Sequence, residues 1–289
     1  MNKLVSAIIT THNRQDLLIR AVKSVLNQTY KDIELIVVDD ASDKRADKML
    51  KEFDLQYIYI PKEESKGGNH ARNIGILAAK GEYVAFLDDD DYWLPMKIEE
   101  QIAIAEEKNC ELVYCPKTSE IITKDSTIIY AHASPNPTMT GDLRKKILYN
   151  ICTTTSCILV KKRALVEVGM FDENLKFWQE YELTIRLAQR TPFFYAWKDL
   201  VVYRVNTADN SRLTNKYDEW RYAVKYIYNK HTILYKNLSL REKILVKRLY
   251  WKDAKLRCGN SNLHFLSIYY SALIKISLFP GKIKRLFCL

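Results

Sequence analysis

The feature that most constrains the fold is an alternation of strand-like and helix-like patterns over residues 1–110. Short apolar runs rich in β-branched residues predict strands at 4–10, 34–40, 55–60 and 82–87. Helical patterns lie between them: one follows Asn13, which we expect to cap it, and others span 69–79 and 95–108. Nearly continuous apolar strands separated by helices predict an α/β fold whose parallel sheet carries helices on both faces.

The pattern changes twice after residue 110. Residues 111–215 mix both kinds of signal, with a helical stretch at 181–190 and strand-like segments CELVYC, SCILVKK, FFYAW and LVVYRV. From about Asn215 onward the pattern is helical, with Lys and Arg spread among Tyr, Leu and Ile. We therefore divide the chain into segments 1–110, 111–215 and 216–289.

Positive charge is concentrated near the carboxyl terminus. The 289 residues carry a net charge of +10, and residues 225–289 hold fourteen Lys and Arg against two acids, or +12, which leaves −2 for residues 1–224. A basic tail suits nucleic acid, anionic lipid or a phosphate-bearing acceptor, or is simply a solvated surface. Because the body is slightly acidic, we expect no nucleic-acid partner.

Cysteine spacing and the amino-terminal sequence indicate a cellular compartment. The six cysteines form neither a C-x-x-C pair nor a zinc-finger spacing. The start MNKLVSAIITTHNR reads as a strand rather than a signal sequence, and no stretch approaches the ~20 apolar residues of a spanning helix. We expect reduced thiols and a cytoplasmic protein.

Polar residues follow the carboxyl ends of the predicted strands, where ligands bind in parallel α/β sheets. They are Thr10–Arg14, Asp39–Asp40 and Asp88–Asp91. Four adjacent carboxylates repel one another unless a cation neutralises them, and carboxylate oxygens suit Mg²⁺ or Mn²⁺ bridging to phosphates. A solvated loop of helix-start acids is the alternative. Because the run Asp88–Asp91 follows the end of a predicted parallel strand, we favour a metal site there.

Three further candidates have weaker signals. Asp40 could accept hydrogen bonds from a nucleobase or ribose, or simply form a turn. The loop 67–73 permits close backbone approach, and its Arg72 could pair with phosphate, although the loop matches neither common glycine-rich phosphate motif. Glu180 could accept a proton from a hydroxyl, whereas Glu180 and Glu182 could equally be helix-start acids.

Four segments, taken in order, resemble the family-two glycosyltransferases of bacterial surface-polysaccharide synthesis. They are SAIITTHNR, IELIVVDDASD, GGNHARNIGILAAKGEYVAFLDDDDYW and FWQEYELTIRL, covering residues 4 to about 187 and extended by the strand ending VVYR. The resemblance implies a GT-A fold, Rossmann-like with a mainly parallel sheet, followed by a helical basic tail. It also implies that segment 1–110 binds the nucleotide-sugar and that segment 111–215 binds the acceptor within the same domain.

The resemblance also implies roles for individual residues. Asp40 falls near the base, and one of Asp88 and Asp89 falls at the ribose. Asp90, together with Asp88, falls where the family holds Mn²⁺ or Mg²⁺, and Glu180 falls at the catalytic base. The complete set of implied donor-binding residues is Thr10, Asn13, Arg14, Asp40, Asn69, Arg72, Asn73, Asp88 and Asp89.

Two positions depart from the family pattern. The family more often has Asp at the base position, so Glu180 is one methylene longer. Asp91 extends the D-x-D motif to D-x-D-D and has no role in the family pattern. The chain also lacks the Q-x-x-R-W motif and the spanning helices of the family's processive synthases, which indicates transfer of one sugar.

The implied reaction is a single displacement at the anomeric carbon. Glu180 deprotonates the acceptor hydroxyl, and attack opposite the leaving group inverts the anomeric centre. We expect a UDP-sugar donor and a lipid-diphosphate-linked glycan acceptor in O-antigen, capsule or lipopolysaccharide synthesis. The alternatives are a sugar nucleotidyltransferase, whose glycine-rich loop after the first strand is missing here, and a non-catalytic nucleic-acid-binding protein.

The tail predicts a peripheral membrane contact. One helical stripe within residues 263–279 consists of Leu263, Leu266, Tyr270, Leu273 and Ile276 or Ser277. Several basic residues follow it, a pattern typical of a helix lying on an anionic membrane surface. The alternative is a helix that packs this stripe on protein. We expect the enzyme at the inner face of the cytoplasmic membrane.

Overall fold

The computed structural model describes residues 3–123, 125–132, 138–207, 216–261 and 263–278. The chain forms two compact units. The first, the catalytic unit, comprises Met1–Leu143 and Cys152–Ala208. The second, the helical unit, comprises Arg144–Ile151 and Asp209–Leu289.

The catalytic unit is an α/β structure. Its strands are β1 (Val5–Thr11), β2 (Ile33–Asp40), β3 (Gln56–Ile60), β4 (Tyr83–Asp88), β5 (Tyr92–Trp93), β6 (Leu112–Tyr114), β7 (Lys117–Ile122), β8 (Ile128–His132), β9 (Ile158–Lys161), β10 (Phe193–Tyr195) and β11 (Val201–Asn206). Its helices are α1 (Gln15–Leu26), α2 (Asp47–Leu50), α3 (Gly68–Ala78), α4 (Lys97–Glu107), α5 (Lys162–Glu167) and α6 (Gln179–Ala188), with a 3₁₀ turn at Thr155–Cys157.

The strands form two sheets. The larger has the order β10-β6-β9-β4-β1-β2-β3 and is parallel throughout, except that β9 runs antiparallel to β4 and β6. This confirms the mainly parallel α/β fold predicted from the sequence. The smaller sheet, β5-β11-β7-β8, was not foreseen as a separate sheet, because β5 and β7 are too short or too polar to stand out by pattern.

The central strands are buried on both faces, which explains their continuous apolar sequences. Every residue of β4 from Tyr83 to Leu87 is buried, as are all but one residue of β1. Helix α3 packs closely on β1 because Gly75 has no side chain; a Cβ there would lie 2.6 Å from a methyl carbon of Ile8. This contact fixes the helix that carries Arg72 against the sheet.

Two helix starts differ from the sequence-based prediction. Asn13 does not cap α1: it has φ of +54°, Arg14 precedes the helix, and neither residue provides a side-chain cap. The Asn13 amide instead bonds both the backbone N–H and the carboxylate of Asp43, at 2.9 and 3.1 Å. Helix α6 begins at Gln179 rather than Tyr181, so Glu180 lies in its first turn.

The helical unit contains a 3₁₀ turn at Lys146–Tyr149 and four helices, α7 (Tyr217–Lys230), α8 (Thr232–Lys236), α9 (Leu240–Asn260) and α10 (His264–Ile276), among its described residues. Ser239 and Glu242 form a reciprocal capping box at the start of α9. A helical basic tail was predicted and is present. No helix of the described residues is both long and apolar enough to cross a membrane.

Helix α10 exposes a second apolar face beside the predicted stripe. On that stripe the Tyr270 hydroxyl lies 2.7 Å from that of Tyr217 on α7, whereas Leu263 and Leu266 are 37% and 39% exposed. The adjoining face, the free face of α10, is more exposed: Phe265, Ile268 and Tyr269 are 91%, 67% and 56% exposed. Both faces are apolar, so the sequence pattern alone does not show which of them is the more exposed.

Candidate active site

The acidic turn after β4 contains one aspartate that is purely structural. Asp91 is fully buried, where its carboxylate accepts hydrogen bonds from the Ser156 hydroxyl at 2.6 Å and from the Arg204 backbone N–H at 3.0 Å. Burial, together with the charges of Asp90 and Asp88, raises the pKa of Asp91 well above its usual value. The fourth acid of the motif therefore ties the turn to the 3₁₀ turn and to β11.

Asp89 joins the turn to the end of β1. It is buried, and its carboxylate accepts hydrogen bonds from the Thr11 hydroxyl at 2.7 Å and from the Arg14 guanidinium at 3.2 Å. Burial raises its pKa to about 6, against the opposing charge of Arg14. These contacts place Arg14 beside the acidic turn, as a donor-binding role requires.

Asp88 and Asp90 are the two open carboxylates of the turn, with side chains 30% and 33% exposed. Asp88 accepts a hydrogen bond from Arg72 at 2.6 Å, and Asp90 accepts one from Arg14 at 2.9 Å. Burial and the negative charge of Asp88 raise the pKa of Asp90. Two open carboxylates thus lie close together, each with one arginine partner.

This pair fits a divalent cation bound jointly with phosphate. Among the residues that the structure describes, no three His, Cys, Asp or Glu side chains converge as a complete metal site. Mg²⁺ in phosphate-binding sites usually takes only one or two carboxylates, with substrate phosphates and water as the other ligands. The mutual repulsion of Asp88 and Asp90 is what such a cation would relieve.

The two aspartates at the end of β2 have different roles. Asp39 is fully buried, where the Tyr57 hydroxyl and the Ser42 N–H donate to it at 2.7 and 3.0 Å. Oδ1 of Asp40 is buried and has no hydrogen-bond partner in the described part of the chain. A buried acceptor without a partner is costly unless a ligand supplies the donor. Asp40 is therefore the residue of this pair that is available for a base.

Two residues next to this acceptor adopt left-handed backbone conformations. Asn13 has φ of +54° and Ala41 has φ of +62°, which is uncommon for residues other than glycine and clusters at functional sites. The half-buried Thr10 pairs in register with Val38 of β2 and Asp88 of β4. Thr10 therefore lies between the Asp40 region and the acidic turn.

Asn69 and Asn73 on α3 hold the segment that precedes Glu180. The Asn69 amide donates to the carbonyl of Leu175 at 2.7 Å, and Asn73 exchanges two hydrogen bonds of 2.9 Å with the backbone of Phe171. These bonds link the helix of Arg72 to segment 171–175. A direct contact of either asparagine with donor stays a prediction.

Glu180 lies in the same electrostatic environment as the acidic turn. Its side chain is half-buried, and burial raises its pKa. The charge of Asp88 raises that pKa further, whereas the charges of Arg72 and Lys117 lower it. The fold has brought together groups that are far apart in sequence. Trp178 precedes them with φ of +54°, a rare conformation for a bulky residue, and sets the start of α6.

Glu182 is excluded as the reactive carboxylate. It is fully buried and holds the Arg186 guanidinium through bonds of 2.7 and 3.0 Å, while Arg186 also donates to the Met170 carbonyl at 2.6 Å. Both of its carboxylate oxygens are engaged in this pair. Of the two glutamates, Glu180 is therefore the one whose carboxylate can meet a substrate.

Two cations near the site were missed in the sequence. Arg204 on β11 lowers the pKa of Asp90 through its charge, and its side chain lies 3.8 Å from Glu120. Lys117 on β7 lies near Glu180. The alternation in KTSEII was the available signal for a half-exposed strand, but its partner strands are distant in sequence.

Several glycosyltransferases are similar to this chain in sequence. The glycosyltransferase RP339 of Rickettsia prowazekii is 28% identical over 94% of this chain and 89% of its own length. UDP-Glc:alpha-D-GlcNAc-diphosphoundecaprenol beta-1,3-glucosyltransferase WfaP of Escherichia coli is 42% identical, over 46% of this chain and 52% of its own. The putative teichuronic acid biosynthesis glycosyltransferase TuaG of Bacillus subtilis is 28% identical over 77% and 85%.

A solved structure shares the fold. S. aureus TarS 1–349 in complex with UDP-GlcNAc has a TM-score of 0.61 at 16% identity, covering 94% of this chain and 90% of that one. The family model of glycosyl transferase family 2 matches residues 6–169, which include most of β1, the acidic turn and α3. The chain belongs to glycosyltransferase family 2.

Proposed function

We propose that this glycosyltransferase moves one sugar from a UDP-sugar to a hydroxyl of a lipid-diphosphate-linked glycan, with inversion of the anomeric centre. The observation that carries the proposal is that one helix, α3, contacts both the acidic turn and the segment before Glu180: Arg72 bonds Asp88 at 2.6 Å, and Asn69 bonds the Leu175 carbonyl at 2.7 Å. The charges of Asp88 and Arg72 both act on the half-buried Glu180 carboxylate, which supports its role beside the acidic turn. Membership of the glycosyltransferase family argues against the two alternatives, a nucleotidyltransferase and a nucleic-acid-binding protein.

The donor is bound between the ends of β1, β2 and β4. The unpartnered Oδ1 of Asp40 accepts a hydrogen bond from the base, and an N–H donor such as that of uracil suits it. Arg14 and Arg72 lie beside the acidic turn and offer positive charge to the diphosphate. TarS, which shares the fold, binds UDP-GlcNAc, and this supports a uridine donor.

Asp90, with Asp88, would hold Mn²⁺ or Mg²⁺, which when bound stabilises negative charge on the departing diphosphate. The side chains that stabilise the departing diphosphate are the two arginines Arg14 and Arg72. Arg14 contacts Asp90, and Arg72 contacts Asp88. Each guanidinium keeps further N–H donors with which to bind phosphate oxygens.

Glu180 supplies the base. Burial raises its pKa, which makes the ionised carboxylate a stronger proton acceptor. Its Oε takes the proton of the acceptor hydroxyl as that oxygen bonds to the anomeric carbon and the bond to the diphosphate breaks. Because the attack comes from the face opposite the diphosphate, an α-linked donor gives a β-linked product.

The acceptor class is supported by relatives. WfaP is named for transfer to alpha-D-GlcNAc-diphosphoundecaprenol, and TuaG for teichuronic acid biosynthesis. We propose the same kind of acceptor here, a glycan built on a membrane lipid diphosphate for O-antigen, capsule or lipopolysaccharide.

Such an acceptor calls for a protein that works at a membrane surface. The free face of α10 presents Phe265, Ile268 and Tyr269, while Lys252 and Lys255 of α9 are exposed. The Ser267 hydroxyl bonds the Lys255 carbonyl, so this part of α9 lies beside α10. Apolar residues flanked by lysines suit the headgroup region of anionic lipid. We propose peripheral attachment at the inner face of the cytoplasmic membrane through this face of α10.

The test is a transfer assay with purified protein, a synthetic α-GlcNAc-diphospho-lipid and each of several UDP-sugars, with Mn²⁺ or with EDTA. We expect a product with one added sugar, whose β configuration is read from the anomeric proton coupling. An α-linked product would refute inversion. Equal rates with EDTA would refute the metal, and transfer from none of the UDP-sugars would refute the donor class.

A further inference from the structure

Lys117, the first residue of β7, has a half-buried side chain. The ammonium lies 3.7 Å from the ring centroid of Tyr203 and 3.4 Å from the Thr154 hydroxyl oxygen. Within the described ranges it forms no ion pair with a carboxylate. A cation held partly out of water by an aromatic ring and a hydroxyl is a favourable position for an anionic ligand.

The other cations of the site differ from Lys117 in this respect. Arg14 and Arg72 each bond a carboxylate of the acidic turn, and Arg204 has Glu120 at 3.8 Å. Among the described residues, the direct contacts of the Lys117 ammonium are the Tyr203 ring and the Thr154 hydroxyl, and its charge lowers the pKa of the Glu180 carboxylate. It is thus a cation near the proposed base whose charge no described carboxylate neutralises at contact distance.

Segment 152–156 connects Lys117 to the reacting groups. Thr154 accepts the hydrogen bond from Lys117, and two residues on, the Ser156 hydroxyl bonds the carboxylate of Asp91 and accepts the N–H of Asp88. The segment therefore packs directly on the acidic turn. The Thr154 hydroxyl also lies 3.4 Å from Cys157 Sγ, which is only a weak acceptor, so its proton can instead be donated to an anion that Lys117 holds.

We infer that Lys117 and Thr154 form an anion-binding subsite that holds the phosphate adjoining the acceptor sugar. The inference rests on the proposed function, because it takes Glu180 as the group that meets the acceptor hydroxyl. In an acceptor whose reacting sugar is joined directly to a diphosphate, the phosphate lies one sugar ring from that hydroxyl. An ammonium and a hydroxyl together suit a phosphate ester.

The test compares two acceptors that differ only in charge. One carries GlcNAc joined to a lipid through a diphosphate, and the other carries GlcNAc joined to the same lipid through a neutral glycosidic ether. For Lys117→Gln we expect the ratio of kcat/KM for the charged over the neutral acceptor to fall about 10-fold or more, measured near pH ~8. The KM for the UDP-sugar should change little. Thr154→Val should lower the ratio less, and Lys117→Arg should restore part of it.

Lys62→Gln, at an exposed lysine of the catalytic unit, is the matched control and should leave the ratio unchanged. If Lys117→Gln instead raises the KM of the UDP-sugar, the subsite belongs to the donor and the inference is wrong. An equal loss on both acceptors would also overturn it, because Lys117 would then act only through Glu180.

A binding measurement separates this inference from the proposed function. Calorimetry with geranyl diphosphate, in the presence of UDP, needs no transfer reaction. We expect binding by the full chain that weakens about 10-fold in Lys117→Gln and little in Lys62→Gln. Lys117-dependent binding without any transfer would keep the subsite and refute the proposed reaction. If the protein transfers sugar to the diphosphate acceptor but binds geranyl diphosphate equally well with and without Lys117, the proposed reaction stands and the subsite is refuted.

Discussion

Replacing Glu180 with Gln tests the assignment of the base most directly. The substitution keeps the size of the side chain and removes its ability to accept a proton. No described residue outside Glu180 itself donates a hydrogen bond to this carboxylate, so the change removes no tertiary contact. Since general base catalysis contributes about 10²–10⁴-fold, we expect kcat to fall by ~100-fold or more, with the affinity for UDP and the thermal unfolding temperature close to those of the native protein.

Glu182→Gln is the matched control, two residues away on the same helix. It breaks an ion pair between the fully buried Glu182 and the largely buried Arg186, and leaves that guanidinium short of its counter-charge. Loss of such a pair costs about 3 kcal/mol, toward the low end of the usual range because the amide oxygen still accepts one bond. For a unit of this size the unfolding temperature should fall by roughly 6–12 °C.

The assay pairs initial rates at saturating donor and acceptor with thermal unfolding followed by circular dichroism. The expected pattern is a folded, inactive Glu180→Gln protein and a destabilised Glu182→Gln protein that is active while folded. A Glu180→Gln protein that keeps more than about a tenth of the native rate would refute the assignment. So would a stable Glu182→Gln protein without activity.

Four other predictions follow from the same contacts. Asp90→Ala should abolish the metal-dependent transfer activity and weaken donor binding; unchanged turnover at saturating Mn²⁺ would contradict this. Asp40→Ala should weaken UDP binding by about 10-fold without destabilising the protein, because its Oδ1 has no partner to lose; isothermal calorimetry measures it. Burial raises the pKa of Glu180, and the transfer rate should rise with pH through that pKa as the base becomes ionised. The charge of Lys117 lowers this pKa, so Lys117→Gln should move the rise in rate to higher pH. The double variant Phe265→Ser and Ile268→Ser should lose flotation with anionic vesicles, whereas Leu77→Ser, at an equally exposed leucine of the catalytic unit, should not.

Most of the order of strands and helices over residues 1–110 could be read from the sequence alone; the short α2 and β5 were not predicted. Strands β1 to β4 and helices α1, α3 and α4 lie within one or two residues of their predicted bounds. A strand buried on both faces of a parallel sheet has a continuous apolar sequence, and an amphipathic helix has apolar residues at helical spacing. Both patterns are local, so the sequence alone reveals them. The position of Asp88–Asp91 at a strand end followed from the same reading.

Tertiary structure decided which acids can react. Asp88 to Asp91 are four residues of the same type, yet Asp91 is buried against Ser156 while Asp88 and Asp90 are partly exposed. Glu180 and Glu182 both begin α6, but only Glu182 is committed to an ion pair. The partner of Asp91 lies in a segment 65 residues away, and the partner of Glu182 lies one helical turn away in a helix that the whole fold buries. A local sequence pattern therefore does not show which acids are engaged.

The same holds for the face of α10 and for Lys117. Both faces of α10 are apolar, and only the structure shows that Tyr270 contacts Tyr217 on α7 while Phe265 is 91% exposed. Lys117 reads as one surface lysine among many until β7 pairs with β11 and brings Tyr203 beneath its ammonium. Side-chain environment depends on packing between distant segments, and the free energy of that packing is not encoded in any short stretch of sequence.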